Sequence, residues 1–325
     1  MKLARSFNRY LSLLAVGSLC VSVAARADEG TPKERSGFVK VQDKMKIHYI
    51  EAGKERTLPT AEVGNPLPAG TTPTKGNVAL TGPTASPTIL FIPGWTMPAW
   101  IWQKQIDALS RRFRVVAIDP RSQGESTMTP QGLDPQTRAR DIHEVIDKLH
   151  LAPVVIVAWS MAVTETLSYI DQFGTNGVEG FVFVDNDAGG FTAEEAAQHK
   201  AIIDGIRANR SQQTDAFVRH VLFNKPQPED FIVRVIAASE RVPTESAIAD
   251  LDAMYKADYS AVLPKIDKPV ILCAASGPYA GRVAAMQKKI PHAQLEIFEG
   301  AGHALFVDDP EKFNVLVEEF ATDFQ

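Results

Sequence analysis

Cysteine is nearly absent from this 325-residue sequence: there are two, Cys20 and Cys273. Cys20 falls in an N-terminal segment that reads as removable, so the remaining chain offers Cys273 no partner and no internal disulfide is expected. An excess of basic charge is missing as well. The net charge of −5 disfavours nucleic acid and anionic membrane surfaces as partners. The sequence has no metal-ligand spacing of Cys, His, Asp and Glu, no glycine-rich phosphate loop and no dinucleotide fingerprint, so neither a metal nor a cofactor is expected. Internal repeats are lacking. Long hydrophobic runs are lacking too: the apolar run at 11–25 is interrupted by Ser12, Gly17, Ser18 and Ser22 and is short for a membrane span of about 20 residues.

That run has the parts of an export signal. Lys2, Arg5 and Arg9 precede it, and Ala25-Arg26-Ala27 closes it with a small-x-small cleavage site. Residues 1–27 are therefore expected to be a signal peptide, the mature chain to begin near Asp28, and the protein to be secreted or periplasmic without stable membrane insertion. An uncleaved anchor is the alternative. Loss of Lys2, Arg5, Arg9 and Arg26 shifts the net charge from −5 to −9. Lipid attachment at Cys20 is disfavoured, because Leu19 stands where a small residue is required.

With 45% hydrophobic and 22% charged residues the chain has ample material for a core. Residues 37–52 alternate with period 2 around a turn at Asp43-Lys44, as a hairpin does. The stretch 54–87, rich in Pro, Gly and Thr, has no sustained period and reads as a surface loop. Buried strands are then expected at 88–92, 114–118, 154–158, 180–184, 270–274 and 294–298, alternating with helices at 102–111, 137–149 and 161–172. This is the pattern of an α/β fold with a doubly wound, mainly parallel sheet. Between 189 and 264 only helical patterns occur: a capping box of Thr192 and Glu195, then helices at 214–223, 229–242 and 244–256. The expected organisation is a core of 28–188 and 265–325 with a helical lid, 189–264, inserted after the sixth strand over the strands' carboxyl ends. A purely structural extension is the alternative for the insert.

Three segments carry candidate chemistry. Ala158-Trp159-Ser160-Met161-Ala162 lies between a strand and a helix, where small flanking residues let the chain turn sharply and push a serine hydroxyl above the sheet. Phe91-Ile92-Pro93-Gly94-Trp95-Thr96 follows another strand, and its glycine turn exposes N–H donors of the kind a developing oxyanion needs. The expected oxyanion pair is the N–H of Trp95 and of Met161. Gly300-Ala301-Gly302-His303-Ala304 follows the last strand and places His303 as a base for Ser160. His48, His143, His150, His199 and His220 lie on strand or helix patterns and read as structural.

In order and context these segments resemble the α/β-hydrolase superfamily, in particular its small esterases and cofactor-free haloperoxidase-like enzymes. Pro93-Gly94-Trp95 is similar to that branch's His-Gly-Trp loop, and 119–126 (DPRSQGES) to its Asp-x-Arg-Gly-x-Gly-x-Ser loop. The resemblance implies a Ser-His-acid triad, yet the segment after the strand at 270–274, Ser276-Gly277-Pro278-Tyr279, has no carboxylate where the family keeps its acid. Some relatives carry the acid after the preceding strand, which points to Asp185, with Asp187 in reserve and Asp252 or Asp258 as more distant choices. Serine at the elbow implies an acyl-enzyme rather than the alkyl-ester chemistry of relatives with aspartate there. All four tryptophans lie near the two loops, and Trp159 and Trp100 are expected to wall a pocket for small apolar or aromatic esters. Packing of the first helix against the lid is an equal alternative for Trp100 and Trp102. A lactonase, a carbon–carbon bond hydrolase and a catalytically silent binding scaffold stay open as alternatives.

Overall fold

The computed structural model describes residues 32–53, 86–277 and 279–325. The expected signal peptide, its cleavage site, Cys20, residues 54–85 and Pro278 lie outside the described residues.

The described strands form one sheet in the order β1-β2-β4-β3-β5-β6-β7-β8. Strands β1 (Arg35–Lys40) and β2 (Lys46–Ala52) make the antiparallel hairpin, joined through a 3-10 turn at Gln42–Lys44. Strand β2 pairs antiparallel with β4 (Val115–Asp119). From β4 onward the sheet is parallel, through β3 (Thr88–Ile92), β5 (Val154–Trp159), β6 (Val178–Val184), β7 (Val270–Ala275) and β8 (Ala293–Phe298). Strands β3, β4 and β5 are buried at every residue, which is why they read as unbroken hydrophobic runs: helices cover both faces.

The pleat sends alternate side chains to two cores. Leu90, Ile92, Val116 and Ile118 meet α2 (Pro135–Lys148) and α3 (Met161–Phe173) through Ile142, Val145, Val163 and Leu167. Ile89, Phe91, Val115 and Ala117 meet α1 (Gln103–Leu109) and, beyond the short α9 (Leu305–Asp308), α10 (Pro310–Thr322), through Ile106, Leu109, Phe313 and Val317. Trp102 is fully buried there and stacks on Phe306 at 3.8 Å. Helix α8 (Ala280–Gln287) lies between β7 and β8 and adds Val283 and Met286 to the first core.

Four helices fill the gap between β6 and β7: α4 (Ala193–Ala208), α5 (Arg210–Phe217), α6 (Glu229–Glu240) and α7 (Thr244–Lys256). The Thr192/Glu195 capping box opens α4, with Glu195 N–H donating to Thr192 Oγ1 at 3.2 Å and Thr192 N–H to Glu195 Oε2 at 2.7 Å. Several boundaries differ from expectation by a few residues, and two helix starts differ for local reasons. The helix expected at 102–111 begins as a 3-10 turn at Ala99–Trp102, where Asp119 accepts the N–H of Ala99 at 2.5 Å. The helix expected at 214–223 starts at Arg210, because Asn209 caps Gln212 N–H at 3.1 Å, and it ends in a π turn at Val218–Leu222. Such turns often mark functional positions.

Candidate active site

Parallel register brings the candidate residues to one level. Trp159 pairs with Val184 and Val184 with Cys273, so the chain leaves β5 at Ser160 beside the point where it leaves β6 at Asp185. Ser160 turns there with φ 56° and ψ −124°, a conformation costly to any residue with a Cβ. Its N–H donates to Val184 O at 2.8 Å, and its own carbonyl accepts from Asn186 Nδ2 at 2.7 Å and Val163 N at 2.9 Å. Ala158 and Ala162 on either side are fully buried, as the convergence of strand and helix requires. Ser160 also sits at the N-terminus of α3, where unpaired N–H groups favour negative charge.

Asp185 is buried and holds φ 51°. Its N–H donates to Cys273 O at 2.7 Å, and its Oδ1 accepts the N–H of Ala275 at 2.9 Å. The other oxygen, Oδ2, lies 2.6 Å from His303 Nδ1, while His303 Nε2 lies 2.8 Å from Ser160 Oγ. A carboxylate only accepts, so Nδ1 carries the proton and Nε2 is left to accept from the serine hydroxyl. The histidine loop is fixed from three sides. His303 N–H donates to Val221 O at 3.0 Å and Ala304 N–H to Leu222 O at 2.8 Å, both carbonyls of the π turn. Trp159 Nε1 donates to His303 O at 2.9 Å, and buried Asp308 accepts Gly302 N–H at 2.8 Å.

The loop 93–97 closes over the serine because residue 94 is glycine. A Cβ on Gly94 would stand 2.9 Å from Ser160 Cβ and 3.4 Å from its Oγ. Within that loop Met97 N–H donates to Gly94 O at 3.1 Å. Among the described residues the N–H of Trp95 has no acceptor, and Met161, first in α3, has no carbonyl one turn back. Both predicted oxyanion donors are thus free to receive a ligand atom.

The other carboxylates weighed from sequence are occupied elsewhere. Asp187 pairs with Arg282 Nε and accepts Gly189 N–H at 2.7 Å. Asp252 binds Lys256 at 2.5 Å, and Asp258 accepts Ser260 N–H at 2.9 Å.

The tryptophan expectations need correction. Trp159 is 1% exposed, wedged edge-on against Trp102 and Phe306, so it has no surface to offer a substrate; its indole N–H holds the His303 loop instead. The Trp100 ring lies 3.8 Å below the Arg234 guanidinium of α6 and meets Phe231 edge-on, which makes it a seat for the insert rather than a pocket wall. Trp95 belongs to an apolar cluster with Met161, Ile206, Val242, Ile248 and Leu251 of the insert and its neighbours, and its Nε1 donates to Ala247 O at 2.7 Å. A separate cavity of about 620 Å³ between α4 and α7 has His199, Ile203 and Tyr255 in its lining, and none of Ser160, His303 or Asp185.

One group near the site went unread in the sequence. Arg138 of α2, with its side chain 2% exposed, pairs with Glu165 of α3 at 3.0 Å and with Asp250 of α7 at 2.7 Å. Burial pushes the Asp250 carboxyl up to about 8, against the pull of Arg138. Burial likewise raises Glu165. In the sequence these three charged residues stand among other polar residues on the same helix faces, Thr137 and Asp141 on α2, Thr164 and Ser168 on α3 and Ser246 on α7, so nothing set them apart. No group of three His, Cys, Asp or Glu among the described residues is placed to hold a metal, and no described helix is long and apolar enough to cross a membrane.

A family model described as the alpha/beta hydrolase family matches residues 89–315. Non-heme chloroperoxidase CPO-A1 of Kitasatospora aureofaciens is 28% identical over 71% of this chain and 91% of its own. Among solved structures, an esterase from Exiguobacterium antarcticum superposes with a TM-score of 0.73 at 22% identity, over 88% of this chain and 98% of that one. A bromoperoxidase from Bacillus anthracis gives 0.75 at 20% identity, over 89% and 100%.

Proposed function

Since this chain belongs to the alpha/beta hydrolase family, we propose that it is a hydrolase of carboxylic esters that works through an acyl-enzyme on Ser160. The observation that carries this is the unbroken hydrogen-bonded line from Ser160 Oγ to His303 Nε2, 2.8 Å, and from His303 Nδ1 to Asp185 Oδ2, 2.6 Å. Names of similar proteins, an esterase among them, agree with it.

In the proposed cycle His303 Nε2 takes the hydroxyl proton as Ser160 Oγ bonds to the ester carbonyl carbon. The carbonyl electron pair moves onto its oxygen, which the N–H groups of Trp95 and Met161 receive. Collapse expels the alkoxide, which His303 protonates; water then attacks the acyl-enzyme carbonyl as His303 takes its proton, and collapse breaks the bond to Ser160 Oγ, which His303 reprotonates as the carboxylic acid leaves. Asp185 holds the imidazole in the required tautomer and steadies its positive charge. A small, apolar or aromatic substrate and a lid role for the insert α4–α7 are parts of the same reading, and what favours the lid is that the insert seats on the oxyanion loop, with Trp95 Nε1 donating to Ala247 O of α7 at 2.7 Å. Asp185 at hydrogen-bond distance from His303 supports the hydrolase over a catalytically silent binding scaffold. Export of the mature chain is part of the same proposal and rests on the pattern of residues 1–27.

Hydrolysis of short p-nitrophenyl esters tests the assignment. The wild type turns them over, and Ser160→Ala lowers kcat at least about 10³-fold; equal turnover by the variant would overturn Ser160 as nucleophile.

A further inference from the structure

The loop that carries Trp95 is clamped by one side chain outside the triad. Gln123, fully buried after β4, donates through Nε2 to Gly94 O at 3.0 Å and to Met97 O at 2.9 Å, and its Oε1 accepts Thr96 N–H at 3.2 Å. The same Oε1 accepts from Arg138 Nη1 at 3.2 Å. These partners fix the amide's orientation, because only an oxygen can face both an N–H and a guanidinium. Arg138 in turn donates to Arg121 O, to Glu165 and to Asp250 on α7 of the insert. Thr96, at φ 59°, meets Ser239 of α6 by a 2.8 Å hydroxyl contact. The loop is thus gripped both from below and from the insert.

Peptide planarity turns this grip into a statement about chemistry. Gly94 C=O and Trp95 N–H belong to one trans peptide, so they point in opposite directions. Holding the carbonyl on Gln123 Nε2 and Met97 N–H therefore fixes the N–H on the opposite side. Gly94 itself packs against Ser160.

We propose that Gln123 is a positioning residue for the oxyanion donor: by holding the carbonyl of the Gly94-Trp95 peptide it aims the Trp95 N–H, and through Arg138 and Asp250 it ties that aim to the seating of the insert. This rests on the proposed ester hydrolysis at Ser160. Its effect belongs to the transition state, since a donor aimed at a tetrahedral oxyanion contributes most when the charge has developed.

The test compares the wild type with Gln123→Glu and Gln123→Asn. Glu keeps the shape and the acceptor for Thr96 and Arg138 but loses both donations to the loop carbonyls; Asn keeps the amide one methylene short. Each variant is checked by circular dichroism and thermal melting, then assayed for kcat and KM on a p-nitrophenyl ester and for inhibition by an aryl trifluoromethyl ketone, whose serine adduct carries an oxyanion. The expected result for Gln123→Glu is a fall in kcat of about 10- to 100-fold with KM changed less than about 3-fold. The ketone weakens by a factor like that in kcat, and Gln123→Asn falls between. A lowered melting temperature with kcat and ketone affinity unchanged in either folded variant would overturn the proposal. Wild-type protein without turnover would instead overturn the hydrolase reading, so the two failures are distinct.

Discussion

At the scale of single residues, two of the three groups in the Ser160–His303–Asp185 line sit in left-handed backbone conformations, with φ 56° and 51°. Each costs on the order of 1–3 kcal/mol, and each is held by backbone hydrogen bonds to the neighbouring strand, from Ser160 N–H to Val184 O and from Asp185 N–H to Cys273 O. Strain at matching strand ends is what aims both side chains at His303. Asp185→Asn should therefore leave the fold intact and lower kcat by about 10⁴-fold, because the amide can donate to Nδ1 and stabilise the wrong tautomer; steady-state kinetics on a p-nitrophenyl ester measures it, and unchanged turnover would remove Asp185 from the mechanism. Ser160 and His303 were legible because small or glycine neighbours bracket them after strands. Asp185 was legible only as a position, the end of the strand before the insert, with Asp187 two residues away as a rival that pairing with Arg282 occupies. Trp159 was misread, since an aromatic beside a nucleophile has the same sequence signature whether it faces the pocket or the core. Gln123 carried no signal, because a fully buried amide inside a turn looks like any polar loop residue.

At the scale of elements, the insert is joined to the core by polar groups rather than by apolar area alone. Asp250 of α7 reaches buried Arg138, which also pairs with Glu165, so one cation stands between two buried carboxylates and burial favours a proton on one of them. The consequence is a pH dependence of definite sign. Asp250 titrates at about 8 in the folded protein and near its ordinary value when unfolded, so between these values the folded state holds the extra proton. Stability then falls as pH rises through that window, by at most about 1.4 kcal/mol per pH unit, and levels off above it. Urea unfolding followed from about pH 5 to 9 should show this slope in the wild type and lose most of it in Asp250→Asn; an unaltered slope would assign the proton elsewhere. The helices of the insert were readable from capping and period, α7 to the residue. Their junctions were not. Whether α5 continues or loosens into a π turn is decided by Val221 and Leu222 carbonyls bonding the His303 loop, a contact some 80 residues distant in the chain.

At the scale of the whole molecule, alternation of apolar strands with helices was enough to derive the parallel sheet, because a strand covered on both faces must be apolar throughout; the strand expected to be buried at 294–298 is instead the sheet's edge, β8, in which Phe298 alone is buried. Strand order was not derivable in the same way: β4 lies between β2 and β3, which depends on crossovers that leave no period in the sequence. The N-terminal 27 residues make a prediction of their own. Expression in a Gram-negative host should yield protein in the periplasm or medium whose N-terminal sequence begins near Asp28; full-length protein retained in the cytoplasm would contradict export. Central to everything above is that Ser160, activated through His303, is the nucleophile. Incubation of the folded protein with a fluorophosphonate, followed by peptide mass spectrometry, measures this directly. A single adduct on Ser160 in the wild type, strongly slowed in His303→Ala, is the predicted result; folded wild-type protein that stays unlabelled at Ser160, or labels equally fast without His303, would contradict it.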